Sequence, residues 1–177
     1  GLMFVPFIVL AAVAAWRWMD NLENAKSDPR SFGAAVRHRH TWVLSFIYIG
    51  TFGSFIGYSG AFPTLLKSQF PEVSMSLAFL GALVGSVARP LGGMLADRFG
   101  GAWITCASFA AMALGAWGAI AGLGQHSFAL FFASFLGLFV FTGIGNGSIY
   151  RMIPAVFRAT VSDDSAEGLL KSRKAAA

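Results

Sequence analysis

The chain predicts an all-α polytopic membrane protein, and three observations carry that prediction. Of its 177 residues, 56% are hydrophobic and only 12% are charged, against about 25% charged in soluble domains. Apolar runs of about 20 residues, long enough to cross a hydrocarbon core, recur between polar connectors. Nearly all the basic residues fall in one alternating set of those connectors. The mean hydropathy of +0.65 agrees.

The first run, 1–18, ends in Trp16-Arg17-Trp18, a cation bracketed by aromatic interface anchors. It has neither a basic start nor a small-residue cleavage site, so it does not read as a signal peptide. It opens on Gly1 rather than Met and reads as the tail of a helix, which makes the sequence a fragment of a longer protein. Residues 19–41 form a polar connector with a breaker at Asp28-Pro29 and a basic cluster, Arg37-His38-Arg39-His40. The second run, 42–66, carries Gly53 and Gly57 as a GxxxG pair, a spacing that lets helices approach closely. Pro63 predicts a kink near its end. The third run, 75–96, closes in the turn Asp97-Arg98-Phe99-Gly100. The fourth, 102–123, holds the single cysteine, Cys106, read as a small packing residue. One cysteine makes no disulfide framework and no cysteine-based metal site. A short turn at 124–127 leads into the fifth run, 128–149. The tail, 151–177, is polar and basic, compatible with a short amphipathic helix or with disorder.

Five spans can be tested by charge. With the 19–41, 97–101 and 151–177 segments on one side, that side and its flanks hold Arg17, Lys26, Arg30, Arg37, Arg39, Arg98, Arg151, Arg158, Lys171, Arg173 and Lys174, eleven of the thirteen basic residues. The other side holds Lys67, and Arg89 lies within the third span. The positive-inside rule makes the basic side cytoplasmic. The same asymmetry accounts for the formal charge of +5, which in a soluble chain would point to nucleic acid. A lipid bilayer is the partner expected here, and no nucleic acid.

Arg89 is the residue around which the chain is organised. An arginine inside a span costs about 2.5–3.5 kcal/mol on insertion scales, so something must offset it. It lies eight residues before Asp97, about 12 Å from that helix end. Snorkelling or internal pairing is one answer, but no acidic residue lies mid-span. The other answer is an anion, for which the planar guanidinium fork suits nitrate, nitrite or a carboxylate. Tyr48 and Phe52 are spaced four apart and share a helix face. Phe52 lies ten residues from Trp42, about 15 Å above the same side, so Arg89 and Phe52 fall at similar depth. They read either as pocket walls or as lipid-facing and packing aromatics.

Two glycine-rich pieces follow. Gly143-Ile144-Gly145-Asn146-Gly147-Ser148 has no strand–turn–helix context for a dinucleotide site. It reads either as close helix packing with Asn146 hydrogen-bonded across an interface, or as lining of a substrate path. Gly93, Asp97, Arg98 and Gly100 form a helix end and tight charged loop, with Asp97 and Arg98 expected to pair with neighbouring helix ends as a hinge or gate. No span holds a histidine, so a haem anchor is not expected. There is no nucleophile–base pair and no metal-spaced acid cluster, so neither an enzyme, a cofactor nor a metal is expected.

These pieces resemble a known family. Gly93-x-x-x-Asp97-Arg98-x-Gly100 resembles the loop motif of the major facilitator superfamily, with Ala102 where a basic residue often closes the motif. More specifically, the stretch from Tyr48 to Gly57, then Gln69-Phe70-Pro71, Ala88-Arg89, Gly92-Gly93, Gly143–Ser148 and Met152-Ile153-Pro154 resemble, in order, the nitrate/nitrite porter family. The resemblance covers nearly all of 42–158. It implies a partial bundle, about five transmembrane helices of an expected twelve. On that reading 1–18 is the sixth helix, 19–41 the central cytoplasmic loop, and the spans at 42–66, 75–96, 102–123 and 128–149 are helices seven to ten. It implies two anion-holding arginines, one per half, with Arg89 matching that of the C-terminal half and Tyr48 and Phe52 matching aromatic pocket residues. Both glycine-rich signature segments of the family fall outside this chain. The implied function is nitrate or nitrite transport across the inner membrane by alternating access, coupled to protons or a counter-transported anion, in a protein that is monomeric when intact. The alternatives are a major facilitator carrying another small anion or organic solute, and a non-transporting membrane subunit.

Overall fold

The computed structural model describes residues 5–19, 36–37 and 39–160, the last four by their backbone alone. The described chain is helical. Helix α1 spans Val5–Trp18, α2 Arg39–Tyr48, α3 Ser54–Gln69, α4 Ala78–Phe99, α5 Gly101–Gly124 and α6 Phe128–Thr160. A π-helical stretch, Ile49–Gly53, joins α2 to α3, and a 3₁₀ turn, Met75–Leu77, leads into α4.

Among the described residues, four helical stretches are long and apolar enough to cross a membrane: Arg39–Gln69, Met75–Phe99, Gly101–Gly124 and Phe128–Val156. The expected fifth is represented by α1, whose 14 residues rise only about 21 Å; residues 1–4 lie outside the described set. Most of the connector expected at 19–41, and the tail from 161 onward, also lie outside it. The last span was expected to end at 149, but α6 continues through Arg151 to Thr160. Arg151, Met152, Ile153 and Ala155 are acceptable helix formers, and Pro154 is accommodated within the helix.

Helices in lipid gain little from hydrophobicity when they associate, so they need close packing and polar contacts. Helix α4 supplies the close packing. Gly81, Gly85, Ala88, Gly92 and Ala96 are spaced to share one face, and all five are buried. That face lies against α6 with backbone on backbone. A Cβ added at Gly92 would overlap Ile144, one at Gly143 the carbonyl of Gly85, and one at Gly147 the carbonyl of Arg89. The other side of α6 takes α5. There the Thr105 hydroxyl donates to Ser148 Oγ at 3.1 Å, and Ser148 donates to the Gly101 carbonyl at 2.9 Å. Helix α6 is therefore the hub, with α4 on one flank, α5 on another, and the long helix of α2 and α3 across the remaining face.

The turn between α4 and α5 is a single residue. Gly100 has φ 91° and ψ 129°, a backbone region essentially restricted to glycine. At the far end, α3, α4, α5 and α6 meet around phenylalanine. Phe62, Leu66, Phe70, Phe131, Phe135, Leu138 and Phe139 are buried together there.

One local expectation changes. Cys106 is exposed on α5 rather than packed against a neighbour, because the inward side of that turn is taken by Thr105 and Ser108. Pro63 lies inside α3. A departure from α geometry that the sequence did not announce falls at Ile49–Gly53. A π turn frees backbone carbonyls, and the buried Thr51 hydroxyl donates to that of Tyr48 at 3.2 Å. Such single π turns occur frequently at functional sites.

Candidate functional site

The site is built where the π turn of the long helix faces the middle of α4. Arg89 lies ten residues from Phe99, about 15 Å inside that end of the helix. Its guanidinium carbon is 4.7 Å from the centre of the Phe55 ring and 5.5 Å from that of Phe52. Phe52 stacks on Tyr48, with centroids 5.2 Å apart and planes 14° apart. Tyr48 in turn meets Tyr150 of α6 edge-on at 5.5 Å, and the two hydroxyls share a hydrogen bond of 2.9 Å. A continuous series, Arg89–Phe52–Tyr48–Tyr150, thus runs from mid-membrane toward the Gly101 end.

The local sequence explains each position. Tyr48, Phe52 and Phe55 are spaced four and three apart, one stripe of a helix. Phe55 lies over Gly85, where an added Cβ would come within 2.7 Å of the ring, and its edge meets Phe139 at 5.6 Å. Gly85 is one turn before Arg89, so the missing side chain is what lets Phe55 reach the guanidinium.

Aromatic contact answers part of the cost of a cation within an apolar span. Each ring contributes about 0.5–2 kcal/mol, more as water is excluded, against the insertion cost of about 2.5–3.5 kcal/mol. A cation–π contact uses the charge of the guanidinium and none of its N–H groups, so the two rings do not consume the hydrogen-bonding fork. Arg89 Nε is buried and has no hydrogen-bond partner among the described residues. A planar oxyanion binds such a fork edge-to-edge through parallel N–H···O bonds.

The glycine-rich stretch of α6 divides between packing and something else. Gly145 lies against Thr51 and Ser108, where an added Cβ would stand 3.0 and 3.2 Å from their side chains. Gly147 lies against the backbone of Arg89. Ser148 is fully buried and tied to α5. Asn146 is different. It is 1% exposed, yet neither Oδ1 nor Nδ2 has a hydrogen-bond partner among the described residues. The expected bond from Asn146 across a helix interface is therefore not made. Ser148 and Thr105, two residues and one helix away, make that interhelical contact instead.

At the helix end, Asp97 accepts a hydrogen bond from Arg151 Nε at 2.5 Å, an ion pair between α4 and α6. Arg98 instead stacks over the adjacent Phe99 ring at 5.3 Å. Gly93 faces Gly147 at ordinary contact distance, and Gly100 makes the turn.

The sequence placed Arg89 and Phe52 at similar depth and Tyr48 on the same helix face as Phe52, and the structure brings the three into one series of contacts. Sequence reasoning missed Phe55 and Tyr150. Phe55 carried a signal, since it lies seven residues from Tyr48 on the same stripe, but a chain with 18 phenylalanines hides it. Tyr150 lies beyond the predicted end of its span, where a tyrosine reads as an interface anchor.

The sequence has relatives among known proteins. The chain is 40% identical over 160 residues to the nitrate/nitrite transporter NarU of Salmonella typhimurium, covering 88% of this chain and 35% of that protein. It is 38% identical to NarU of Escherichia coli over the same shares. It is 35% identical over 164 residues to the probable nitrate/nitrite antiporter NarK2 of Thermus thermophilus, covering 87% of this chain and 36% of that protein. The chain belongs to the nitrate/nitrite porter family of the major facilitator superfamily. No family model matches it. As a porter segment it spans about a third of the length of these relatives. Four apolar helices and transporter relatives together make it part of a multi-pass membrane protein.

Proposed function

We propose that the protein carries nitrate or nitrite, or exchanges them, across the cytoplasmic membrane by alternating access, as a transporter and not an enzyme. The observation that carries the reading is the state of Arg89. Its guanidinium carbon lies over the rings of Phe52 and Phe55 and its Nε has no partner among the described residues, in a chain resembling proteins described as nitrate/nitrite transporters.

In this reading Arg89 is the anion ligand of the C-terminal half, and Tyr48 and Phe52 are pocket walls. A second cationic group stands opposite, on the other half-bundle. The halves rock about the site between them, driven by protons or by a counter-transported anion, in a monomer. Helix α1 is the sixth helix and 19–41 the central cytoplasmic loop, so the stretches 42–66, 75–96, 102–123 and 128–149 are helices seven to ten. The side bearing 19–41, 97–101 and 151–177 faces the cytoplasm of the inner membrane, on the distribution of basic residues. Gly93, Asp97, Arg98 and Gly100 form the gate loop, with Asp97 held to Arg151.

The test is Arg89→Lys in the intact transporter reconstituted in proteoliposomes. Lysine keeps the charge and loses the planar fork, so nitrate uptake falls by about tenfold or more, the loss of one charge-assisted hydrogen bond. Wild-type affinity for nitrate in that variant would sink the proposal.

A further inference from the structure

The unpartnered amide of Asn146 asks for an explanation. Three buried side-chain atoms lack a hydrogen-bond partner among the described residues: Arg89 Nε, Asn146 Oδ1 and Asn146 Nδ2. Leaving such an atom unsatisfied costs about 1–3 kcal/mol, more for a charged group, so a chance occurrence at two neighbouring positions is disfavoured.

The two residues are neighbours in depth. Gly147, next to Asn146, lies against the backbone carbonyl of Arg89, close enough that a Cβ there would overlap it. Asn146 also sits one turn from Tyr150 on α6, and four-residue spacing puts both on one face. That face is the one that meets the stacked aromatics, because Tyr150 bonds Tyr48 and Phe139, seven residues before Asn146, meets Phe55. The seam of α4 and α6 thus brings one unsatisfied N–H donor of Arg89 to the level of one unsatisfied acceptor and one unsatisfied NH₂ group of Asn146.

From this juxtaposition we infer that Asn146 is a third polar element of the anion site, acting through Arg89. This rests on the reading of Arg89 as the anion ligand. Asn146 Oδ1 takes the Nε–H of Arg89, directly after a side-chain rotation or through one water. That fixes the guanidinium about its long axis and turns the two terminal NH₂ groups toward the anion. Asn146 Nδ2 supplies a neutral donor to an oxygen that the fork does not reach. A neutral amide suits this position. A carboxylate would pair with Arg89 and repel the anion, and a lysine would bind it too strongly to release. Asn146 is a positioning residue for Arg89 first, and the close glycine packing on either side of it is what brings it within reach.

The experiment uses the full-length transporter in detergent, with nitrate as the ligand in calorimetric titrations and thermal melts. Asn146→Leu keeps the number and branching of the side-chain heavy atoms, adds the bulk of two methyl groups, and removes both unsatisfied polar atoms. The expected result is a melting temperature without nitrate that is equal or higher, and a nitrate Kd weakened at least about tenfold, the scale of one hydrogen bond to a charged group. A residue that only packs would give the first result without the second. If leucine fails to fold in so tight a seam, Asn146→Ala only removes atoms and weakens nitrate to the same degree. In the Arg89→Lys background, which has no Nε–H, Asn146→Ala weakens nitrate by a smaller factor than in the wild type, since the interaction shared with Arg89 is already gone and only the direct Nδ2 donor is left to lose; an undiminished factor would overturn the coupling to Arg89. A folded Asn146→Ala protein with wild-type nitrate affinity would overturn the inference alone. Failure of the wild-type protein to bind nitrate would overturn the substrate reading, and this inference with it.

Discussion

The two ends of the bundle are closed by different chemistry. At the end where α3 meets α4 and α5 meets α6, the closure is phenyl on phenyl. Phe62 is fully buried, with the rings of Phe131, Phe132, Phe135 and Phe139 between 4.8 and 6.1 Å away. Phe70 caps it against Phe128 and Phe131 at 5.6 and 5.3 Å. At the Gly101 end the ties between helices are polar: the Tyr48–Tyr150 hydroxyl pair, the Asp97–Arg151 ion pair, and the Thr105–Ser148–Gly101 chain. Dispersion contacts are individually weak but are lost only as a group. Hydrogen bonds at an accessible surface exchange readily with water and contribute little net free energy. On this contrast the phenyl end is expected to hold together and the two exposed ties, Tyr48–Tyr150 and Asp97–Arg151, to open first, while the Thr105–Ser148–Gly101 chain is buried and shielded from water. Arg89 lies between them, with its aromatic series leading toward the polar end.

The largest expected effect is at the phenyl end. Phe62→Ala opens a cavity among four rings. Truncations of this kind cost about 3–5 kcal/mol in soluble cores, and the lost dispersion contacts are the same in lipid. The intact protein should melt markedly earlier in detergent. Little or no change in melting temperature would mean that the phenyl end is not the rigid one.

Gly100→Ala is the intermediate case. No atom lies within 4 Å of the Cβ that the substitution adds, so nothing is overpacked. The cost comes from φ 91° alone, about 1–3 kcal/mol for a side chain held in that region. Alanine should lower the melting temperature by less than Phe62→Ala does. A larger loss would show that the α4–α5 turn is itself part of the rigid framework.

Much of this division was legible in the sequence, for identifiable reasons. The apolar runs between polar connectors indicated each of the four long helices, because length and composition decide a span in lipid, although the last continues to Thr160, past its expected end at 149. Arg89 announced itself as a charge in an apolar run, and Tyr48 and Phe52 followed from four-residue spacing. What escaped depends on facts that spacing does not encode. The π turn at Ile49–Gly53 has no strong sequence signature, and it displaces Phe52 and Phe55 relative to a regular helix. Phe55 reaches Arg89 only because Gly85 on another helix has no side chain. Asn146 was read either as bonded across a helix interface or as lining a substrate path, and the interhelical bonds are made by Ser148. Whether a polar residue pairs across an interface depends on which way each helix is rotated, and that rotation is set by the glycine seam of α4 and α6.

The smallest effect is the most informative about the polar end. Tyr150→Phe deletes one hydroxyl, leaves the ring against Tyr48, and removes the 2.9 Å bond between α6 and α2. Tyr150 is 56% exposed, so water replaces much of the lost bond and the net cost falls at the low end of about 0.5–1.5 kcal/mol. Global melting should barely move. The change should appear locally, as faster amide hydrogen exchange in the last turns of α6 and in α2, with exchange around Phe62 and Phe131 unaltered. Local opening of this kind has its own free energy, separate from global stability. Because Tyr48 also stacks on Phe52, and Phe52 on Arg89, loosening this end should reach the anion site as well. Nitrate added to the variant should then slow the same exchange more than it does in wild type. Uniform exchange changes along the whole of α6 would mean that the two ends are one cooperative unit, and the contrast between them would fail.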